Sequence, residues 1–202
     1  KAWRNSFAAN GLAGVTKSKP ASFFSKKLAS MITIGNLEDD LDLLKDVDFL
    51  LEVVVENLKV KQDLFAKLAK VVKDDCIVAT NTSGIPIKDI SAKMNPKLKE
   101  RFLGVHFFNP PRYMRLVELI PDKTTKKEIV TYMKDFLENV VGKGVVLCKD
   151  VPNFIANRIG TFDISNAIDT MVGKGMTVPE MDAIISKPLG RPGSAIFGTL
   201  DL

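Results

Sequence analysis

Long apolar runs are missing from this 202-residue chain. None approaches the roughly 18 apolar residues of a membrane-spanning helix, so no membrane span is expected. Cysteine is scarce: Cys76 and Cys148 are the two. Both sit in apolar, strand-like runs, which suits buried free thiols in a reducing cytoplasm better than a disulfide. Neither cysteine has partners at metal-ligand spacing, so no metal site is expected. The opening residues KAWRNSF hold neither a methionine nor the apolar core of a secretion signal, so the chain reads as a piece of a longer protein. Internal repeats and low-complexity tracts are also absent. The net charge of +5 comes from scattered lysines, without a reading-helix motif or an aromatic-interleaved basic patch. That excludes nucleic acid as the expected partner and leaves two readings, a solvated surface or a field drawing in a phosphate-bearing ligand.

What is present is a globular composition, 46% apolar and 26% charged, long enough for one or two cores. Ala2 to Asn10 reads as the end of a helix stopped at Asn10-Gly11. Met31 to Ile34 reads as a short strand. Asp48 to Val55 (DFLLEVVV) is a continuous apolar run of the kind buried on both faces of a parallel sheet. Asn57 to Val72 has helical periodicity, Cys76 to Thr80 (CIVAT) is a second buried strand, and Ile87 to Met94 a short helix. Phe102 to Phe108 and Leu116 to Ile120 are strands split by Asn109-Pro110-Pro111. A helix from about Thr124 to Asn139 and a strand over Gly144 to Cys148 complete the series. Strand and helix in alternation give an α/β class with βαβ units on a mostly parallel sheet. After Val151 the strand signal stops. Phe154 to Val172 reads as a helix interrupted by Gly160 and ended by Gly173 and Gly175. Thr177 to Glu180 reads as a capping box, and Lys187 to Pro192 as a loop. Two domains are therefore expected, 1–150 and the start of a helical one over 151–202.

Ligands on parallel sheets gather at the carboxyl ends of strands. Those ends carry Glu56 and Asn57, then Asn81 to Ser83, then His106 to Asn109. His106 is the one histidine, and Glu118 lies in the neighbouring apolar run. Two ionisable groups in adjacent buried strands are expected to meet, as a histidine held by a carboxylate for acid/base work. The alternative is a core histidine satisfied by a backbone carbonyl, with Glu118 facing solvent. Asn81 to Ser83 could be turn chemistry alone. Glu56, Asn57 and Lys61 could be a helix cap with a solvated ion pair. Asn157, inside an apolar helix, needs a partner for its amide, either structural or substrate.

His106-Phe107-Phe108-Asn109-Pro110, with Glu118 in a following LVELI run, resembles the HFFNP motif and downstream carboxylate of the L-3-hydroxyacyl-CoA dehydrogenase family. VVVENLKVK at 53–61, NTSGIP at 81–86, DVPNFIANRIG at 150–160, and later GMTVPEMDAI and LGRP resemble further family segments in the same order. The resemblance covers roughly residues 35–202 and is strongest to bacterial members, in which the dehydrogenase can be fused to an enoyl-CoA hydratase. It implies a Rossmann-like NAD-binding domain followed by a helical substrate and dimerisation domain. It implies catalytic roles for His106, Glu118, Ser83 and Asn157, and cofactor contacts at Glu56, Lys61, Ser83 and Asn81. NAD is the implied cofactor and an acyl-CoA the substrate. The protein would be a homodimer or part of a larger multifunctional chain. 3-Hydroxybutyryl-CoA dehydrogenase and a non-catalytic CoA- or partner-binding domain are the alternatives. The family's first strand and its G-x-G-x-x-G turn are not found in these residues, since Gly11-Leu12-Ala13-Gly14 is too short. Asn153 stands where many members have glycine.

Overall fold

The computed structural model describes residues 2–190 and 196–200. Arg191 and Pro192 of the LGRP segment, and the end of the loop expected over Lys187 to Pro192, lie outside them. The chain divides into two units, Lys1–Phe154 and Ile155–Leu202.

The first unit is a five-stranded sheet in sequential order, β1 Phe49–Glu52, β2 Ile77–Thr80, β3 Phe102–Phe107, β4 Leu116–Pro121 and β5 Gly144–Leu147. The pairings β1–β2, β2–β3 and β4–β5 are parallel, while β3–β4 is antiparallel. The proline turn after β3 is why: it reverses the chain without a crossover helix. Helix α1 spans Ala2–Lys17, α2 Leu58–Leu68, α3 Ile87–Ser91, α4 Pro96–Lys99 and α5 Lys127–Asp135, the last running on as a π-turn to Val140. Lys61, Leu64, Phe65 and Leu68 are the buried residues of α2, at the i, i+3, i+4, i+7 spacing of one helical face. Asn57 caps that helix, its side chain accepting from Val60 N–H.

Strand alternation splits the core in two. Val78, Phe102 and Ile120 pack with α2 and α3 residues on one face; Ile77, Leu103, Val105, Val117 and Leu119 pack with Met133 and Leu137 on the other. His106 follows Val105, and Glu118 lies between Val117 and Leu119, so both project to the α2/α3 face. Gly104, on the same face two residues before His106, is buried, and a Cβ there would meet Ile87 Cδ1 at 2.8 Å and Ile120 Cβ at 3.1 Å. Gly104→Ala should cost about 1–3 kcal/mol by overpacking, read as a lower urea midpoint. An unchanged midpoint would mean that β3 and α3 separate freely.

Two local expectations are corrected here. Met31 to Ile34 is not a strand: Lys26–Met31 is a 3-10 helix, and residues 32–34 pair with nothing in the sheet. Asn10-Gly11 does not stop α1, which runs through Gly11 and Gly14 to Lys17. The stop falls where Pro20 approaches, since the residue before a proline leaves helical space. This also places Gly11 to Gly14 inside a helix, with nothing near the position of a Cβ on either.

The second unit holds α6 Ala156–Lys174, α7 Val178–Ile185, a 3-10 helix Lys187–Leu189 where a loop is expected, and the short α8 Phe197–Leu200. Gly160 and Gly173 lie within α6 and do not break it, because only a left-handed backbone would force a glycine stop. Gly175, at φ +64°, supplies that stop. The Thr177/Glu180 capping box is formed, Thr177 N–H donating to Glu180 at 2.8 Å.

Candidate active site

His106 and Glu118 are directly opposite in the β3–β4 register. Directly paired residues on one face are close enough for side chains to meet. His106 Nδ1 lies 2.8 Å from Glu118 Oε2, with His106 4% and Glu118 1% exposed. The alternative of a histidine satisfied by a carbonyl, beside a solvated Glu118, is not what is seen. The imidazole is flanked by the Phe108 ring at 4.5 Å and the Phe154 ring at 5.8 Å. Nε2 has no hydrogen-bond partner among the described residues and is not sealed from solvent. A carboxylate at Nδ1 fixes the tautomer that leaves Nε2 as the acceptor. The ring is therefore anchored at one nitrogen and open at the other. Cys148, just past β5, places its thiol 3.6 Å from Glu118 Oε1. Burial, then the Glu118 charge and the bond to it, push that thiol up to about 12.

Beside the dyad, the turn after β2 is clamped by Glu56. Its Oε1 accepts from Thr82 Oγ1 at 2.5 Å, Ser83 N–H at 3.0 Å and Gly84 N–H at 3.1 Å. Partial burial pushes the Glu56 carboxyl up, but the Thr82 hydroxyl, the Gly84 and Ser83 N–H groups and Lys61 outweigh it and leave it below the usual value. Asn81 ties this turn to β3: its Oδ1 accepts from Phe107 N–H at 2.9 Å, next to His106. Because Phe107 N–H can only donate, the Asn81 amide NH₂ faces the other way. Asn81 lines an open, mainly apolar pocket of about 400 Å³ with Leu51, Val53, Phe107, Phe108 and Pro111.

Lys61 is 1% exposed. Its ammonium donates to Glu52 Oε1 at 2.9 Å, Glu52 Oε2 at 3.1 Å and Val54 O at 3.3 Å, and pairs with Glu56 at 3.3 Å. An ammonium has three N–H donors, and in this arrangement they are turned to these partners. Glu52 escaped the sequence reading, although the signal was there: a carboxylate inside FLLEVVV poses the same question as Glu118 inside LVELI. It also accepts from Thr80 Oγ1 at 2.6 Å. Asp150 was missed as a clamp; its carboxylate accepts from Ile87 and Lys88 N–H at 2.6 and 2.9 Å. Asn157 belongs to the second unit, half-buried on α6, its carbonyl accepting from Thr161 Oγ1 at 2.7 Å. Thus His106, Glu118, Asn81, Ser83, Glu56 and Lys61 share one unit, and Asn157 is in the other.

The sequence profile of "3-hydroxyacyl-CoA dehydrogenase, NAD binding domain" matches residues 5–151. The chain is 47% identical over 199 residues to a probable 3-hydroxyacyl-CoA dehydrogenase of Bacillus subtilis and 45% identical over 199 residues to one of Deinococcus radiodurans. These alignments cover 98% of this chain but 25% and 58% of those relatives, so the chain spans well under two thirds of their length. A putative fatty acid oxidation complex trifunctional enzyme of Rickettsia prowazekii is 42% identical over 98% of this chain and 28% of its own. Among solved structures, FadB2 of Mycobacterium tuberculosis superposes with TM-score 0.72 at 33% identity, over 83% of this chain and 57% of that one. (S)-3-hydroxybutyryl-CoA dehydrogenase of Ralstonia eutropha gives TM-score 0.73 at 28% identity, over 93% and 64%. Similarity thus begins near residue 5, well before residue 35, where the motif wording starts. No helix among the described residues is long and apolar enough to cross a membrane. On this profile and these relatives, the chain belongs to the 3-hydroxyacyl-CoA dehydrogenase family, with residues 5–151 matching its NAD-binding domain.

Proposed function

We propose that the protein containing this chain oxidises L-3-hydroxyacyl-CoA to 3-oxoacyl-CoA with NAD, as a step of fatty-acid β-oxidation. One observation carries the reading: a histidine anchored at Nδ1 by a buried carboxylate and open at Nε2, on the carboxyl edge of a dinucleotide-type sheet. His106 Nε2 takes the proton of the substrate 3-hydroxyl, and Glu118 stabilises the imidazolium that forms. Bound NAD supplies the hydride acceptor. The apolar wall of Leu51, Val53, Phe107, Phe108 and Pro111, with the Asn81 NH₂ turned away from Phe107, suits a flat ring carrying a carboxamide. Glu56 fixes the Ser83 turn beside it, and Lys61 acts through Glu56. Ser83 and Asn157 are assigned to the substrate oxygen; Asn157 lies in the helical domain that opens at 151. That domain begins the substrate and dimerisation part, so the protein works as a homodimer or within a larger multifunctional chain. The two free, buried cysteines suit the cytoplasm. The Ralstonia eutropha structure favours a second reading, a preference for the four-carbon substrate.

The test is NADH oxidation by the full-length protein, driven by acetoacetyl-CoA and by longer 3-oxoacyl-CoA thioesters. Turnover with both is expected. Turnover with acetoacetyl-CoA alone would select the second reading, and none with either would overturn both.

A further inference from the structure

The dyad engages one oxygen of Glu118. The other, Oε1, lies 3.6 Å from the Cys148 thiol, a hydrogen-bond length for sulfur. Cys148 is 4% exposed and pinned to the sheet by its own N–H, which donates to Leu119 O at 2.9 Å. Its single S–H proton has a second acceptor within reach, Val146 O at 3.5 Å. The charged oxygen is the stronger acceptor of the two. The thiol also keeps its proton at neutral pH, being raised to about 12, so it is a standing donor.

We propose that Cys148 is a positioning residue of the dyad: its S–H holds Oε1 of Glu118, fixes the carboxylate plane against His106 Nδ1, and draws off part of the charge that His106 faces. This rests on the dyad reading above. Phe108 and Phe154 present rings to His106. Asp150, two residues after Cys148, turns both oxygens to the start of α3, and Glu56 turns Oε1 to the Thr82–Gly84 turn. Lys149, beside Cys148, is exposed.

His106 is the one histidine, so a single imidazole NMR signal reports its titration in this chain, without cofactor or substrate. Removing a donor from a carboxylate leaves more of its charge for a neighbouring imidazolium. Cys148→Val, which keeps the volume, should therefore raise the His106 midpoint by about half a pH unit. Cys148→Ala should raise it equally if valine overpacks the site. Cys148→Ser restores a donor and should return the midpoint to within about 0.2 unit of wild type. A wild-type midpoint in both Val and Ala variants, or a rise in Ser as large as in Val, overturns the proposal. Glu118→Gln separates the two readings. It should lower the midpoint by more than about one unit, and failure there sinks the dyad itself, whatever Cys148 does.

Discussion

Replacing His106 by glutamine is expected to lower kcat for acetoacetyl-CoA reduction by the full-length protein about 10²–10⁴-fold, with KM nearly unchanged. Glutamine keeps much of the imidazole's volume and can still donate to Glu118, so the buried carboxylate is not stranded. What it cannot do is exchange a proton at the open position, where His106 Nε2 is free of protein partners among the described residues. The loss therefore falls on the transition state, and equal losses in kcat and kcat/KM are its signature. His106→Ala should be at least as inactive but also less stable, because it leaves Glu118 buried without the imidazole. Glu118→Gln should retain more activity than either, since the imidazole remains and only its orientation and the stabilisation of its cation are lost. Thermal melts run beside the kinetics separate chemistry from folding. Turnover by the His106→Gln protein within tenfold of wild type would remove His106 from the reaction.

The dyad was legible in the sequence because burial leaves a charged group few options. His106 in FLGVHFF and Glu118 in LVELI had either to meet or to be turned to solvent, and the β3–β4 register makes them direct partners. The same logic reaches Glu52, whose strand FLLE was read for its apolar residues alone. Strand existence was readable from apolar runs, but strand direction was not: β4 runs antiparallel because a proline turn, not a crossover helix, precedes it. Glycine misled in both helical stretches. Gly11, Gly14, Gly160 and Gly173 all sit inside helices, while Gly175 alone of these takes the left-handed backbone that ends one. Composition cannot separate a glycine that a helix tolerates from one that a turn requires. The Asn153 departure has a structural counterpart. Asn153 adopts φ +62°, a value asparagine tolerates better than most residues, and its Oδ1 lies 2.7 Å from where a Cβ on Gly84 would be. That packing joins residues 69 positions apart and is invisible to any local pattern. Lys61 is a different case. Position on the chain placed it at the ligand edge, and only the three-dimensional arrangement shows its ammonium turned inward to Glu52.

Lys61→Met should destabilise the fold by about 3–5 kcal/mol at neutral pH, the cost of stranding one partner of a buried ion pair. Lys61 and the Glu52 carboxylate are both 1% exposed, so solvent screens neither. Without the ammonium, Glu52 keeps the Thr80 hydroxyl and the Val54 N–H, which are too little for a buried charge. The deficit has a sign in pH. In the variant, the folded state binds a proton at the stranded carboxyl more tightly than the unfolded chain does. Stability relative to wild type is therefore recovered on acidification and lost as pH rises. Urea unfolding at about pH 5 and about pH 8 should show the gap between variant and wild type shrinking at the lower value. A loss below about 1 kcal/mol at both would mean that water reaches the pair. Adding Glu52→Gln to Lys61→Met removes the stranded charge and should restore most of the stability. NAD affinity of the full-length double variant then decides what Lys61 is for. If Lys61 only holds Glu56 and the Ser83 turn in place through the buried pair, affinity recovers as far as Glu56 keeps its grip on Thr82, Ser83 and Gly84. If affinity stays low while stability returns, Lys61 reaches the cofactor itself, and the inward arrangement of its ammonium must change when the cofactor binds.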